Sequence, residues 1–168
     1  GAFDGAVSLF KNGGGTILIT NVVSKTSGEV TVNGGAIIVS ETARFSACPL
    51  FRVTAGTLEL RNTNALPATA TVRMLEGAKV KIKAGVTNTV DKLYLNGEQQ
   101  AAGTWGATGS GADNVNDTFF NGGGILNVAS GSPIPYADAT WDGGGAGSNF
   151  SVGENWEGDT PPSFEGYA

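Results

Sequence analysis

Phe51-Arg52-Val53-Thr54-Ala55-Gly56-Thr57-Leu58-Glu59-Leu60 holds a short alternating strand, a turn closed by glycine, and a second alternating strand. Successive side chains on a strand take opposite faces. Phe51 and Val53 therefore share a face, as do Leu58 and Leu60, with Arg52 and Glu59 turned the other way. The same unit recurs on either side. Val30-Thr31-Val32 precedes it, and Val72-Arg73-Met74 and Leu93-Tyr94-Leu95 follow, so the first apolar positions are 30, 51, 72 and 93. That is a constant step of 21, and positions 32, 53, 74 and 95 keep it. A glycine recurs at Gly14, Gly35, Gly56 and Gly77, each followed by a second strand with inward candidates Ile17/Ile19, Ile37/Val39, Leu58/Leu60 and Val80/Ile82. The last pair sits one residue late. A one-residue slip would expose the apolar set, so a bulge near Gly77-Ala78 is expected to absorb it. A third apolar point follows at Val23, Phe45, Leu66 and Val86, among Gly, Asn, Thr, Ser and Pro.

Two or three short strands repeated every 21 residues describe one coil of a β-solenoid. A single coil cannot bury its own inward side chains. Coils stacked about 4.7–4.9 Å apart form parallel ladders around a continuous apolar column. A β-sandwich also spaces strands and turns regularly, but nothing in a sandwich requires one step in several columns. The expected inner column is Ile17, Ile19, Val30, Val32, Ile37, Val39, Phe51, Val53, Leu58, Leu60, Val72, Met74, Val80, Ile82, Leu93 and Leu95. Glu59 and Lys81 are expected as outward neighbours on adjacent coils.

The period breaks after Asn96-Gly97. Residues 98–117 are small, polar and glycine-rich, and read as a loop or cap inserted within the domain, because Phe119-Phe120-Asn121-Gly122-Gly123-Gly124-Ile125-Leu126-Asn127-Val128 restores strand, turn and strand. The expected organisation is solenoid coils over 1–129, a linker over 130–138 and a Gly-rich tail over 139–168, which holds two of the three Trp.

Composition narrows the chemistry. The 168 residues include 27 Gly, against a usual share of about 7%, and 15% charged residues, against about 25%, which disfavours a helical protein. There is no His, which removes the commonest general base and rules out serine–histidine and cysteine–histidine catalysis and His-ligated zinc. The single residue Cys48 forbids an intrachain disulfide and is expected to pack inside a coil corner. A net charge of −5 disfavours nucleic acid and anionic membrane as partners. No run of about 18 apolar residues exists to span a bilayer as a helix. Gly1-Ala2-Phe3-Asp4 does not read as a signal peptide and resembles the interior of a longer protein.

The stretches Leu9-Phe10-Lys11-Asn12-Gly13-Gly14-Gly15-Thr16-Ile17-Leu18-Ile19-Thr20, Ser27 to Val39 and Val53 to Leu60 resemble the autotransporter-associated β-strand repeat. Val90-Asp91-Lys92-Leu93-Tyr94-Leu95-Asn96-Gly97 with Gly103-Thr104-Trp105-Gly106 is similar to the close of such a module. Trp141-Asp142-Gly143-Gly144, Asn155-Trp156 and Gly158-Asp159 look like the opening of a following one. The resemblance implies an all-β, right-handed parallel β-helix in a long exported bacterial protein displayed at the cell surface. The expected role is non-enzymatic and structural, as a stalk, adhesin spacer or filament building block. Its expected partners are copies of itself or adjacent modules, met end to end, and it needs no cofactor.

The alternatives rest on particular residues. Trp105, Trp141 and Trp156 are candidates for sugar stacking or for covering solenoid ends, and Phe150, Phe164 and Tyr167 for subunit contact. Asp113, Asn114, Asn116 and Asp117 carry oxygens suited to calcium but lack the ligand order of an EF-hand, and read as an Asx-rich turn. A polysaccharide-degrading β-helix needs paired carboxylates or acids beside a base on one face. Glu29 and Glu59 stand singly, Asp142, Glu154 and Asp159 lie in the tail, and the stacked Arg52 and Arg73 have no acids in their column. The glycine runs 13–15, 122–124 and 143–145 are not followed by the helix that a phosphate-cradling loop needs.

Overall fold

The computed structural model describes residues 7–23, 27–131, 141–149 and 152–156. The chain divides into two compact units, Gly1–Ser132 and Pro133–Ala168. The first is an all-β solenoid of about four turns, built from parallel strands about 21 residues apart.

The first coil contributes β1 (Leu9–Lys11), β2 (Thr16–Ile19) and β3 (Val22–Val23), and the second β4 (Glu29–Val32), β5 (Ala36–Val39) and β6 (Arg44–Phe45). The third holds β7 (Leu50–Val53) and β8 (Gly56–Leu60), and the fourth β9 (Thr71–Met74), β10 (Ala78–Ile82) and β11 (Thr87–Val90). Then follow β12 (Lys92–Leu95), β13 (Glu98–Gln99), β14 (Gly103–Gly106), β15 (Asn114–Val115), β16 (Phe120–Asn121) and β17 (Ile125–Val128). The first face of the solenoid is the sheet β1-β4-β7-β9-β12-β13, and the second is β16-β10-β8-β5-β2. The third face is built of β3-β6 and of β11-β17-β14-β15.

Register on the first face follows the sequence step without exception: Leu9, Val30, Phe51, Val72 and Leu93 pair in succession. On the second face the successive partners are Ile17, Ile37, Leu58 and Val80, steps of 20, 21 and 22. The corners absorb this drift. The extra residue before Val80 lies in Leu75-Glu76-Gly77, between β9 and β10, so the expected slip is taken up in a turn and the strand carries no bulge. In the first coil the left-handed glycine is Gly13 rather than Gly14.

The interior is one apolar column. Ile19, Val30, Val32, Ile37, Val39, Phe51, Val53, Leu58, Leu60, Val72, Met74, Val80, Ile82, Leu93 and Leu95 are buried, while Ile17, on the end coil, is only partly covered. Phe45, Leu66 and Val86 close the third side, and Phe45 meets Phe51 edge to face at 5.3 Å between ring centres. Cys48 is buried beside the carbonyls of Gly28 and Leu50, both 3.3 Å away, and burial pushes its thiol pKa up.

Residues 98–124 interrupt the coil and then rejoin it. Phe120 stacks on Val80 and Asn121 on Lys81, and β17 runs parallel to β11 from Thr87↔Ile125 to Val90↔Val128.

Candidate functional site

A solenoid meets other molecules at its two ends or along its outer faces. At the C-terminal end the first and third faces gain antiparallel strands, while on the second face β16 pairs only with β10 among the described residues. After β12 the chain turns through Asn96 and Gly97, both at positive φ (51° and 92°), the backbone sense that closes a two-residue hairpin. Strand β13 then pairs antiparallel with β12, Leu95 opposite Glu98, and Gln100 N–H donates to the Leu93 carbonyl at 2.8 Å. On the third face β14 pairs antiparallel with the whole of β17, and β15 follows it. Trp105 sits in β14 with its ring buried in the core and its Nε1–H donating to the Ala101 carbonyl at 3.0 Å. It packs with the core cluster and is 9% exposed.

The N-terminal end differs. Among the described residues, β1 pairs only with β4 and β2 only with β5, leaving an outer edge on each. Phe10 is 55% exposed and Leu18 53%, and Val7 and Val22 on the same coil are exposed as well. Lys11 occupies the inward column ahead of Val32, Val53, Met74 and Leu95. It is buried, and its ammonium donates to the carbonyls of Gly13 (2.6 Å), Asn12 (2.9 Å) and Gly34 (3.2 Å). Three carbonyls match the three N–H donors of an ammonium. The sequence reading passed over Lys11; the period itself, extended back one step from Val32, would have placed it inward.

The acids along the faces are engaged in structure. Glu59 binds Arg61 Nε at 2.6 Å and Lys81 Nζ at 3.3 Å. Burial pushes its carboxyl pKa up, but the hydrogen bonds and charges of Arg61 and Lys81 outweigh that and hold it below the ordinary value. Glu29 accepts from Thr31 Oγ1 at 3.2 Å and lies 3.6 Å from Arg52. Arg73 stacks on the Tyr94 ring, 4.2 Å from its centre, and the Tyr94 hydroxyl donates to Gln99 Oε1 at 3.0 Å. The Arg52 and Arg73 face is thus tied down by a carboxylate and an aromatic ring.

The Asx cluster is spent on turns. Thr104 Oγ1 donates to Asp113 Oδ2 (2.7 Å), and Asn114 Nδ2 donates to the Thr104 carbonyl (3.0 Å). Asn116 Oδ1 accepts from Thr118 N–H, and Asp117 accepts from the hydroxyl and the N–H of Thr108 at 2.6 and 2.8 Å, which lowers its pKa. A shallow open depression of about 480 Å³ lies beside it, lined by Lys79, Thr108, Asp117 and Asn121. Lys79 Nζ there donates to the Asp117 carbonyl. Among the described residues no three His, Cys, Asp or Glu side chains gather as a metal site.

Polar side chains also stitch the corners from coil to coil. Asn33 Nδ2 donates to Asn12 Oδ1 at 2.9 Å, and Thr54 Oγ1 to Asn33 Oδ1 at 2.7 Å, each one step of 21 along. Asn62 Nδ2 serves the carbonyls of Ser40 and Ala43, and the fully buried Asn88 bonds Leu66 N–H and the Asn62 carbonyl.

In the second unit Trp141 and Trp156 form an antiparallel bridge, their rings edge to face at 5.2 Å. Asn155 is buried, accepting from Gly145 N–H (3.1 Å) and donating to the Asn149 carbonyl (3.0 Å). Trp156 is buried and Trp141 is 42% exposed, so Trp141 alone of the three Trp keeps a broad open face. Phe150, Phe164 and Tyr167 lie outside the described residues.

Compared with family models, curated proteins and solved structures, the chain matches none.

Proposed function

We propose that this chain is a non-enzymatic structural segment of an extracellular bacterial surface protein, serving as a stalk, adhesin spacer or filament building block. The observation that carries the reading is the uninterrupted first face, where β1, β4, β7, β9 and β12 stack in one register over a buried, largely apolar column. Load applied along such a stack is shared by many parallel hydrogen bonds, and each coil braces only its neighbours. The outward side chains support the same reading. Glu29 and Glu59 each lie within hydrogen-bonding or ion-pair distance of a cation, so both carboxylates are engaged in structural contacts. The placement at a bacterial surface rests on the resemblance to the autotransporter-associated β-strand repeat.

Antibodies raised against the solenoid and applied to intact producing cells test this function. Labelling of unbroken cells, removed by external protease, is the expected result; labelling only after lysis overturns the location. Turnover of any polysaccharide by the purified full chain overturns the non-enzymatic role. Glycan binding that is lost on Trp141→Ala would favour a sugar-binding module.

A further inference from the structure

The sequence holds four Asn-Gly pairs, Asn12-Gly13, Asn33-Gly34, Asn96-Gly97 and Asn121-Gly122, and the fold treats their carboxamides differently. Asn12 and Asn33 are fixed in the corner ladder, where Asn12 Oδ1 accepts from Asn33 Nδ2 and Asn33 Oδ1 accepts from Thr54 Oγ1. Asn96 sits in the hairpin turn at φ 51°, and no hydrogen bond among the described residues joins its carboxamide to Gly97. Asn121 is the exception. The N–H of Gly122 donates to Asn121 Oδ1 at 2.6 Å, so the backbone nitrogen touches the carboxamide of the residue before it. Asn121 is exposed on β16 and lines the open depression shared with Lys79, Thr108 and Asp117.

We propose that Asn121-Gly122 is a self-modifying site, at which the folded chain converts the Asn121 carboxamide to a carboxylate with water as the only co-reactant. The Gly122 nitrogen attacks Cγ of Asn121 and a new C–N bond closes a five-membered succinimide. The Gly122 amide proton passes to solvent, the bond from Cγ to Nδ2 breaks, and the amide nitrogen takes up a proton and leaves as ammonia. Water then opens the ring. Attack at Cγ returns Gly122 to its normal peptide bond and leaves aspartate. Attack at the main-chain carbonyl carbon leaves Gly122 joined through Cγ, which is isoaspartate. Nothing is oxidised or reduced.

Three features single out this pair. The carbon under attack is at most one C=O bond, about 1.2 Å, beyond the contact already made, and reacting atoms held about 3–3.5 Å apart gain most from proximity. The Gly122 N–H is given to its neighbour's side chain, while the bond to the Ile82 carbonyl is made by Gly124 N–H at 3.1 Å, so attack breaks no backbone bond between the coils. The nucleophile belongs to a glycine, with no side chain to block its approach, and the open depression admits the water that completes the step. The product matters to the fold. Isoaspartate adds an atom to the backbone at a corner with no room for one: a side-chain atom on Gly122 would lie 2.2 Å from the Ile82 carbonyl oxygen, and one on Gly124 2.4 Å from Ile82 Cγ2 and from the Lys83 carbonyl oxygen. The segment rejoining the solenoid at β16 is therefore expected to loosen in the isoaspartate form and to stay seated in the aspartate form. This chemistry is independent of the surface role proposed above.

Timed peptide mapping tests it on the full chain. The purified protein is held in mildly alkaline buffer made with oxygen-18 water, sampled over days, digested at acid pH and read by mass spectrometry with fragmentation that separates aspartate from isoaspartate. Asn121 is expected to convert several-fold faster than Asn12, Asn33 or Asn96, with label from the solvent in both products. The same incubation in denaturant is expected to erase that ranking, since all four pairs then share one local sequence chemistry. If Asn121 converts no faster than the other three in the folded chain, or leads by the same margin in denaturant, the geometry does not promote the reaction and the proposal falls. Hydrogen exchange gives the second readout. Protection over residues 119–124 is expected to fall in step with isoaspartate in the aged chain and to hold in Asn121→Asp. Unchanged protection in the isoaspartate form, or equal loss in Asn121→Asp, overturns the structural consequence. Neither failure bears on the surface-labelling test of the structural role.

Discussion

A methyl group on Gly35 would overlap the carbonyl oxygens of Gly15 and Gly13 in the coil before it, and the residue sits at φ 65°. Gly77 lies in the lengthened corner two coils later, one residue ahead of the register partner of Gly56, at φ 88° and with nothing within 4 Å of a side-chain position. The recurrence of these glycines is plain in the sequence, but the sequence does not separate the two reasons for them. Gly77→Ala meets only the left-handed backbone, a cost of about 1–2 kcal/mol. Gly35→Ala meets that cost and a backbone overlap. Denaturant melts are expected to rank Gly35→Ala well below Gly77→Ala, and equal losses would mean that corner packing contributes nothing. Lys11 shows the other limit of legibility. An amphiphilic side chain on an alternating strand reads as outward by type, and only the register places it inside, where end-coil carbonyls receive its charge.

At the scale of the strand, the constant step of 21 made β4, β7, β9 and β12 readable together with their facing, because one residue of slip would turn every apolar side chain to water. The second face was readable in composition and less so in spacing, since its corners vary in length while its strands stay in register. The caps were unreadable as pairings. Short polar segments such as Glu98–Gln99 and Asn114–Val115 carry no alternation, and their antiparallel or edge positions are decided by the open strands they cover. The Glu59 contact on β8 supplies a pH test. Its carboxyl is held below its ordinary value in the folded chain, so it favours the fold above the unfolded value, about 4.3, and that contribution fades as pH falls through the folded one. Exposed pairs contribute at most about 1 kcal/mol each. Acid melts of the native chain and Glu59→Gln are expected to differ at neutral pH and to converge as pH falls from the unfolded value, about 4.3, through the lower folded one. A gap that persists at pH 2 would mean that Glu59 acts through packing rather than charge.

Across the whole solenoid, growth beyond the last coil is limited face by face. Nearest-neighbour coupling makes each coil a template for the next, so an uncovered parallel edge propagates unless something stops it. On the first face the stop is β13, held to β12 through its antiparallel pairing and the Gln100 N–H to Leu93 carbonyl bond. Gln100→Pro removes that donor and restrains the residue before it, loosening the cap while leaving the core side chains in place. The freed edge of β12 then has the direction and spacing to receive β1 of another copy, a head-to-tail contact that does not close. Light scattering of Gln100→Pro is therefore expected to rise with concentration without a plateau, its far-ultraviolet circular dichroism remaining that of a β protein. The native chain should show no such continuing rise under the same conditions. If the variant levels off at the native stoichiometry, β13 is not what limits growth, and the restraint must come from β14 and Trp105 on the third face.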